Sequence, residues 1–332
     1  MKTALPPGPK PFFSFSNVIN FRKDTLGFLN QLSKEYGDIS FFKMGKQDMI
    51  FVNNPDLIKE IFITNSSKFI KGRALELAKV VLGEGLLTSE KEFHTRQRRI
   101  IQPSFNHKRI NYYGTIMADY AEKYRDKWKD GEIIDIDKEM MNLTLDIVCK
   151  TLFDTDMESD TRLIQENLTV ALEMFMEITN PFRAILSKLP IPKTLRFEKA
   201  RKYLDETIMG IIQERRKSEH DRQDLLSILM KLHDEEGDKT GMTDRQIRDE
   251  VMTLFIAGHE TTSNLLTWTF YLLSQNPEIE EKFYQELEQV LGKRLPTPED
   301  IPNLPYTKKV LTESMRIYPP AWIVGRRNIE EY

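Results

Sequence analysis

The sequence predicts a mainly helical fold with a small β-sheet near its N-terminus, and three observations carry that expectation. A run from Thr243 to Pro277 keeps the spacing of one very long helix. After Ser89 nearly every segment repeats a helical period between proline or glycine breaks. Ile39 to Lys43 and Met49 to Val52, separated by Gly45-Lys-Gln-Asp48, read as a hairpin. With 332 residues, 40% of them hydrophobic, the chain can bury a large core in one or two domains.

In chain order, Pro6-Pro-Gly-Pro9 and Pro11 form a stiff, non-helical entry, because proline fixes its own angles and restricts its predecessor. A helix follows from about Asp24 to Tyr36, with Gly37 where a left-handed cap belongs. After the hairpin, Asn54-Pro55 caps a short helix. From Ser66 to Glu90, interrupted by Gly72, Gly83 and Gly85, the pattern is irregular and reads as a long, mobile, functional loop with one helical turn. Helices are then expected at about 90–102, 106–129, 138–153, 161–179, 193–219 and 222–234. The 174–192 connection, with Met174, Phe175, Met176, Phe182, Ile185 and Leu186, is unusually apolar. It suits a lid over an apolar cavity or contact with a membrane surface; packing on the next helix is the alternative. A single domain is expected over 1–332, with the β region in about 1–65 and the helical body in about 90–320.

The long helix has a start and a stop. Thr243 and Gln246 have the form of a capping box, and Asn276-Pro277 ends the run. Some 32 residues at about 1.5 Å each give roughly 48 Å, enough to cross a domain. Ile247, Val251, Leu254 and Phe255 mark the first half, whereas Leu265 to Leu273 is apolar nearly all round. Into this rod are set Gly258, His259, Glu260, Thr261 and Thr262. Glycine inside a helix costs about 0.5–1 kcal/mol, and a buried unpaired carboxylate costs more. Either these groups serve a site, or Glu260 or His259 points to solvent while the threonines bond back to the preceding turn. A zinc-protease motif fails, because it would need histidine where Ser263 stands.

Composition excludes several classes. Acidic and basic residues number 51 and 48, a formal charge of −3, so no nucleic-acid or polyanionic partner is expected. The lone cysteine, Cys149, forms no internal disulfide and fits a reducing compartment. No apolar run approaches the roughly 20 residues that span a bilayer, and no signal peptide is visible, so neither a transmembrane anchor nor export is expected and the location is read as cytoplasmic.

Three weak signals remain. In Phe93-His-Thr-Arg-Gln-Arg-Arg-Ile-Ile-Gln-Pro103, Arg98 shares a face with Ile101, so Arg98 is expected to turn inward while Arg96 and Arg99 point elsewhere; all three solvated is the alternative. Glu313 and Arg316 meet at i to i+3 on a helix from about Leu304 to Tyr318 whose apolar set is Val310, Leu311, Met315 and Ile317. Arg326-Arg327 follows the apolar Ala321-Trp-Ile-Val324, which reads as a strand bringing one arginine inward.

Taken in this order, these signals are specific: from Pro6 to Tyr332 the chain resembles the cytochrome P-450 family, the haem-thiolate monooxygenases. Ala257-Gly-His-Glu-Thr-Thr262 matches the family's oxygen-binding motif, and Glu313-x-x-Arg316 its Glu-x-x-Arg helix. The resemblance implies haem b (iron protoporphyrin IX), dioxygen, an apolar small-molecule substrate and an electron-transfer partner, either a ferredoxin or a reductase. It implies that Thr261 helps deliver protons, with Glu260 the neighbouring acid, and that Ala257 and Gly258 let the helix pass close to the haem. It implies that Arg98 and Arg326 bind propionates, while Glu313 and Arg316 form a structural ion pair. His94 stands where relatives usually have tryptophan and could donate a hydrogen bond to a propionate. Substrate would be enclosed by the 66–90 loop, the 174–192 connection and the first half of the long helix.

The sequence departs from the family at its end. It contains no Phe-x-x-Gly-x-Arg-x-Cys-x-Gly loop, whose thiolate ligates iron, and Cys149 has the spacing of core packing. No metal ligand is therefore assigned, and the later arginine that completes the network of Glu313 and Arg316 is absent too. The expectation is a monooxygenase fold cut before its haem-ligand region; the rival is a non-catalytic helical scaffold or pseudoenzyme that binds apolar ligands without redox chemistry.

Overall fold

The computed structural model describes residues 5–10, 16–154, 161–176, 191–218, 222 and 224–330. The apolar 174–192 connection lies outside the described residues except at its ends. The chain divides into two compact units, one of Met1–Leu77, Leu172–Glu198 and Gly325–Tyr332, the other of Ala78–Ala171 and Lys199–Val324.

In the first unit, α1 (Ser16–Lys23) and α2 (Thr25–Tyr36) precede the hairpin. Asp24 caps α2 by accepting from the Gly27 N–H at 2.8 Å, and Gly37 ends it with φ +81° and ψ −143°, a glycine conformation outside the left-handed helical basin. Strands β1 (Ile39–Met44) and β2 (Gln47–Val52) pair antiparallel from Ile39↔Val52 to Met44↔Gln47. The turn is therefore Gly45-Lys46, tighter than the expected 45–48 connection, because Asp48 sits opposite Lys43 and pairs with it across the strands. Phe28, Leu32 and Phe42 form the core beneath the hairpin, with Phe28 and Phe42 edge to face at 5.4 Å. Asn54 caps α3 (Pro55–Lys59) as expected, accepting from the N–H groups of Asp56 and Leu57.

Two expectations are corrected by how glycines are used. The 66–90 stretch holds a short strand, β3 (Phe69–Lys71), and a ten-residue helix, α4 (Arg73–Leu82), in place of a mobile loop. Gly72 and Gly83 flank this helix and leave its interior intact, so Ala78, Val81 and Leu82 bury one face at helical spacing. The late strand is β4 (Arg326–Asn328), paired with β3, and not Ala321–Val324. A Cβ on Gly72 would lie 2.8 Å from the Gly325 carbonyl carbon, so this backbone approach needs glycine at 72 and sets the pair after Gly325.

The second unit contains most of the helices: α5 (Lys91–Ile101), α6 (His107–Arg125), α7 (Ile136–Phe153), the body of α8 (Thr161–Met176) and of α9 (Pro192–Lys217), α10 (Leu225–Leu229), α11 (Asp244–Ser274), α12 (Pro277–Leu291) and α13 (Pro305–Ile317). The expected 222–234 helix shrinks to α10, because the chain then turns back on itself through the Asp234 N–H to Thr240 carbonyl bond and the His233↔Gly241 bridge. The long helix is α11. Thr243 and Gln246 close the expected capping box, and α7 packs along it, with Phe153 against Phe255 at 6.3 Å.

Candidate functional site

The polar break in α11 separates into two faces. Gly258, His259 and Ser263 turn toward α7. A Cβ on Gly258 would approach Val148 Cγ2 to 3.1 Å, His259 Nε2 lies 3.1 Å from the Met141 carbonyl oxygen, and Ser263 Oγ lies 2.9 Å from Met141 Sδ. His259 is buried, and its surroundings hold its pKa below the usual histidine value by desolvation, against the Met141 bond. It does not point to solvent. Ala257 and Thr261 are exposed on the other side, where Thr261 Oγ1 donates to the Ala257 carbonyl at 2.6 Å. Glu260 is half-buried, its carboxyl has no hydrogen bond or counter-charge among the described residues, and burial pushes its pKa above the usual carboxylate range.

Two to three turns earlier, Arg248, Asp249 and Glu250 form a buried cluster that sequence reasoning missed. Arg248 donates to Asp249 Oδ1 at 2.9 Å and to the Val81 carbonyl at 2.8 Å, and also pairs with Asp205. Asp249 Oδ2 accepts from the Glu84 N–H at 2.8 Å. Glu250 accepts from the Leu86 N–H at 2.9 Å and from Gln97 of α5 at 3.0 Å. Two consecutive carboxylates thus fasten the connection between α4 and α5 to α11. The available signal was three charged residues inside an apolar helical stripe, together with Gly83 and Gly85. A Cβ on Gly83 would fall 2.1 Å from the Asp249 carboxylate, and one on Gly85 2.2 Å from Thr253 Oγ1.

On α5 the arginines are arranged differently from expectation. Arg99 makes a fork to Asp234 at 2.6 and 2.5 Å, and Arg96 reaches Asp238 at 3.1 and 3.2 Å and Thr240 Oγ1 at 2.7 Å. The Arg99 guanidinium beside Asp234 holds that carboxyl below its usual range, and Arg96 does the same for Asp238. Arg98 is exposed, with no hydrogen bond or ion pair among the described residues, so it is not the buried arginine. The reason is long-range: the acids of the 234–240 turn lie beside Arg96 and Arg99, and spacing along α5 cannot report them. His94 Nδ1 lies 3.3 Å from Ser89 Oγ at the start of the same helix.

Glu313 and Arg316 pair as a fork on α13, at 2.7 and 2.6 Å, and both are exposed. Their neighbours Met315 and Ile317, expected in an apolar set, are exposed too, and Ser314 is the buried residue of this helix. In the first unit, Arg326 is exposed and lies over the Phe62 ring at 4.4 Å, not turned into a core, while Arg327 meets Glu76 at 3.3 Å. Cys149 is buried against the core of α7, and burial pushes its thiol up to about 12, the behaviour of a packed neutral group. Among the described residues no three histidine, cysteine or acidic side chains gather as a metal site, and no helix is long and apolar enough to cross a membrane.

A family profile described as Cytochrome P450 matches residues 6–332. Pentalenene oxygenase of Streptomyces avermitilis is 35% identical over 91% of this chain and 66% of its own length. Cyclooctatin synthase of Streptomyces melanosporofaciens is 36% identical, over 89% and 64%. Cyclooctat-9-en-7-ol 5-monooxygenase of the same organism is 34% identical, over 98% and 70%. The chain spans about two thirds of the length of these curated relatives. With a mainly helical architecture, two small antiparallel sheets and a match over nearly its whole length, the chain belongs to the cytochrome P450 family.

Proposed function

We propose that this chain carries the oxygen-activating side of a haem-thiolate monooxygenase that inserts one oxygen atom from dioxygen into an apolar small molecule. The observation that carries the reading is the exposed face of α11 with Ala257 and Thr261, bordered by the half-buried carboxyl of Glu260, which is left unpaired among the described residues. Haem b fits these residues in two respects. Ala257 presents only a methyl group on that face, which leaves room for a flat macrocycle. Arg98 keeps an uncommitted guanidinium, suited to a propionate by a charge-assisted hydrogen bond, with His94 near it on the same helix. Arg326 carries the same propionate proposal on the family resemblance. No iron ligand is assigned within these 332 residues, because the thiol of Cys149 is packed and neutral.

Bound haem would supply the activation of dioxygen with two electrons from a separate ferredoxin or reductase, and the protein would position and tune that chemistry. The residues' own work is proton handling. Glu260, with its pKa raised by burial, holds a proton closer to neutral pH than an exposed carboxyl does. The Thr261 hydroxyl donates to the Ala257 carbonyl and keeps its lone pairs free to accept a hydrogen bond from water or acid; to hand its own proton on, it must rotate off that carbonyl. Glu313 and Arg316 stiffen α13 as an ion pair and take no part in the transfer.

Thr261→Ala in the haem-loaded enzyme tests the reading. Substrate oxidised per reducing equivalent should fall about 10-fold or more, with peroxide rising to match, since positioned proton transfer contributes on the order of 10²–10⁴. Unchanged coupling would remove Thr261 from the role.

A further inference from the structure

We propose that His259 is a positioning residue of this site, a key between α11 and α7 that sets the rotation of α11 about its axis and so the direction in which Glu260 and Thr261 point. The inference rests on the reading of Glu260 and Thr261 above and adds a residue that reading does not use.

Three observations lead to it. The carbonyl oxygen of Met141 can only accept, so His259 Nε2 carries the hydrogen and the ring is the neutral Nε2–H tautomer. Nδ1 is then an acceptor, buried and without a hydrogen-bond partner, and such an atom is costly. An apolar side chain would fill the same space without that cost, so a histidine here points to the one directed bond it makes. Second, that bond is part of a set. Ser263, one turn on, meets the sulfur of the same Met141, and a Cβ on Gly258 would crowd Val148 of α7 at 3.1 Å. Third, successive residues of a helix are turned by about 100°, which puts Ala257 and Thr261 roughly opposite His259. Both are exposed, as is Thr262, and Glu260 stands between the two faces. A helix keyed on one side by 258, 259 and 263 therefore presents 257 and 261 in one direction only. A misplacement of about 1 Å at a reacting group costs on the order of 10²-fold in rate, so the rotation matters to the chemistry.

The test compares His259→Gln, whose amide nitrogen can still reach the Met141 carbonyl, with His259→Leu, which fills the space without a donor. The first readout is the carboxyl titration of Glu260 by ¹³C NMR in the 332-residue chain without haem. We expect Glu260 to titrate above the ordinary value of about 4.3 in the parent and in His259→Gln, and to return toward it in His259→Leu as the helix turns. The second is the coupling of the haem-loaded enzyme, expected to fall about 10-fold in His259→Leu through kcat at unchanged KM, and to be restored in His259→Gln. Should His259→Leu not fold, ring ¹⁵N shifts of the parent decide: a neutral ring with Nε2 protonated and Nδ1 bare supports the inference, and the opposite tautomer overturns it. A Glu260 titration identical in folded His259→Leu and parent overturns it as well, and leaves the monooxygenase reading standing. Unchanged coupling in Thr261→Ala would instead remove the proton-delivery reading and leave the titration result intact.

Discussion

In the first half of α11, Arg248, Asp249 and Glu250 are at most 4% exposed, whereas in the second half Trp268, Phe270 and Tyr271 are 37–46% exposed. Composition predicts the reverse, since charged side chains are almost never fully buried unless paired. The first half is covered because each of its charges has a partner: Arg248 has Asp249 and Asp205, Asp249 has the Glu84 amide, and Glu250 has Gln97 and the Leu86 amide. In the second half Trp268 stacks at 4.0 Å on Tyr318, yet the ring remains partly in water. Burial along one helix thus follows what surrounds each stretch more than what the stretch is made of.

Removing the cation is the severest way to break the buried half. Arg248→Leu leaves Asp249 without its closest counter-charge, and loss of one partner of a buried pair costs about 3–5 kcal/mol, to be read from the urea midpoint. Gly83→Ala should cost less, about 2–3 kcal/mol, from its φ of +60° and the Asp249 carboxylate in the Cβ's path; a thermal melt within error of the parent would deny that Asp249 fixes this turn.

Smaller still are two pH effects of opposite sign from the segment between the halves. His259 has a lowered folded pKa, so its contribution is whole above the unfolded value of about 6.5 and is lost as pH falls below it. Glu260 has a raised folded pKa, so its contribution is whole below about 4.3 and is lost as pH rises through the folded value. Urea unfolding between pH 4 and 8 should therefore become flatter on the acid side in His259→Gln and on the neutral side in Glu260→Gln. The smallest change is expected in the exposed half. Phe270→Ser should alter stability by no more than about 0.5 kcal/mol while lowering the tendency to aggregate, and a large loss would show that this half is packed after all.

What could be read in advance was what local rules decide. The ends of α11, the Asn54 cap, the hairpin and the Glu313–Arg316 fork depend on neighbours within a turn or a strand pair, and all were legible. Arg99 and Asp234 are 135 residues apart in sequence, and Glu84 and Asp249 are 165 apart; no periodicity reports such pairs. The same gap misassigned Arg98 and hid the buried cluster. α4 is hidden for a different reason: Gly72 and Gly83 read as breaks in the pattern, whereas they bound the helix.

The clasp between α5 and the 234–240 turn has a consequence for ionic strength. Gly237 lets Asp234 close on Arg99, since a Cβ there would lie 2.2 Å from the carboxylate, and with Asp238 holding Arg96 two of the three arginines of α5 are neutralised from within. An anionic group arriving at this helix meets the guanidinium of Arg98 beside two spent charges. Its attraction should weaken with added salt as for a single cation, and the acidic turn should shorten its range below the Debye length of about 8 Å at physiological ionic strength.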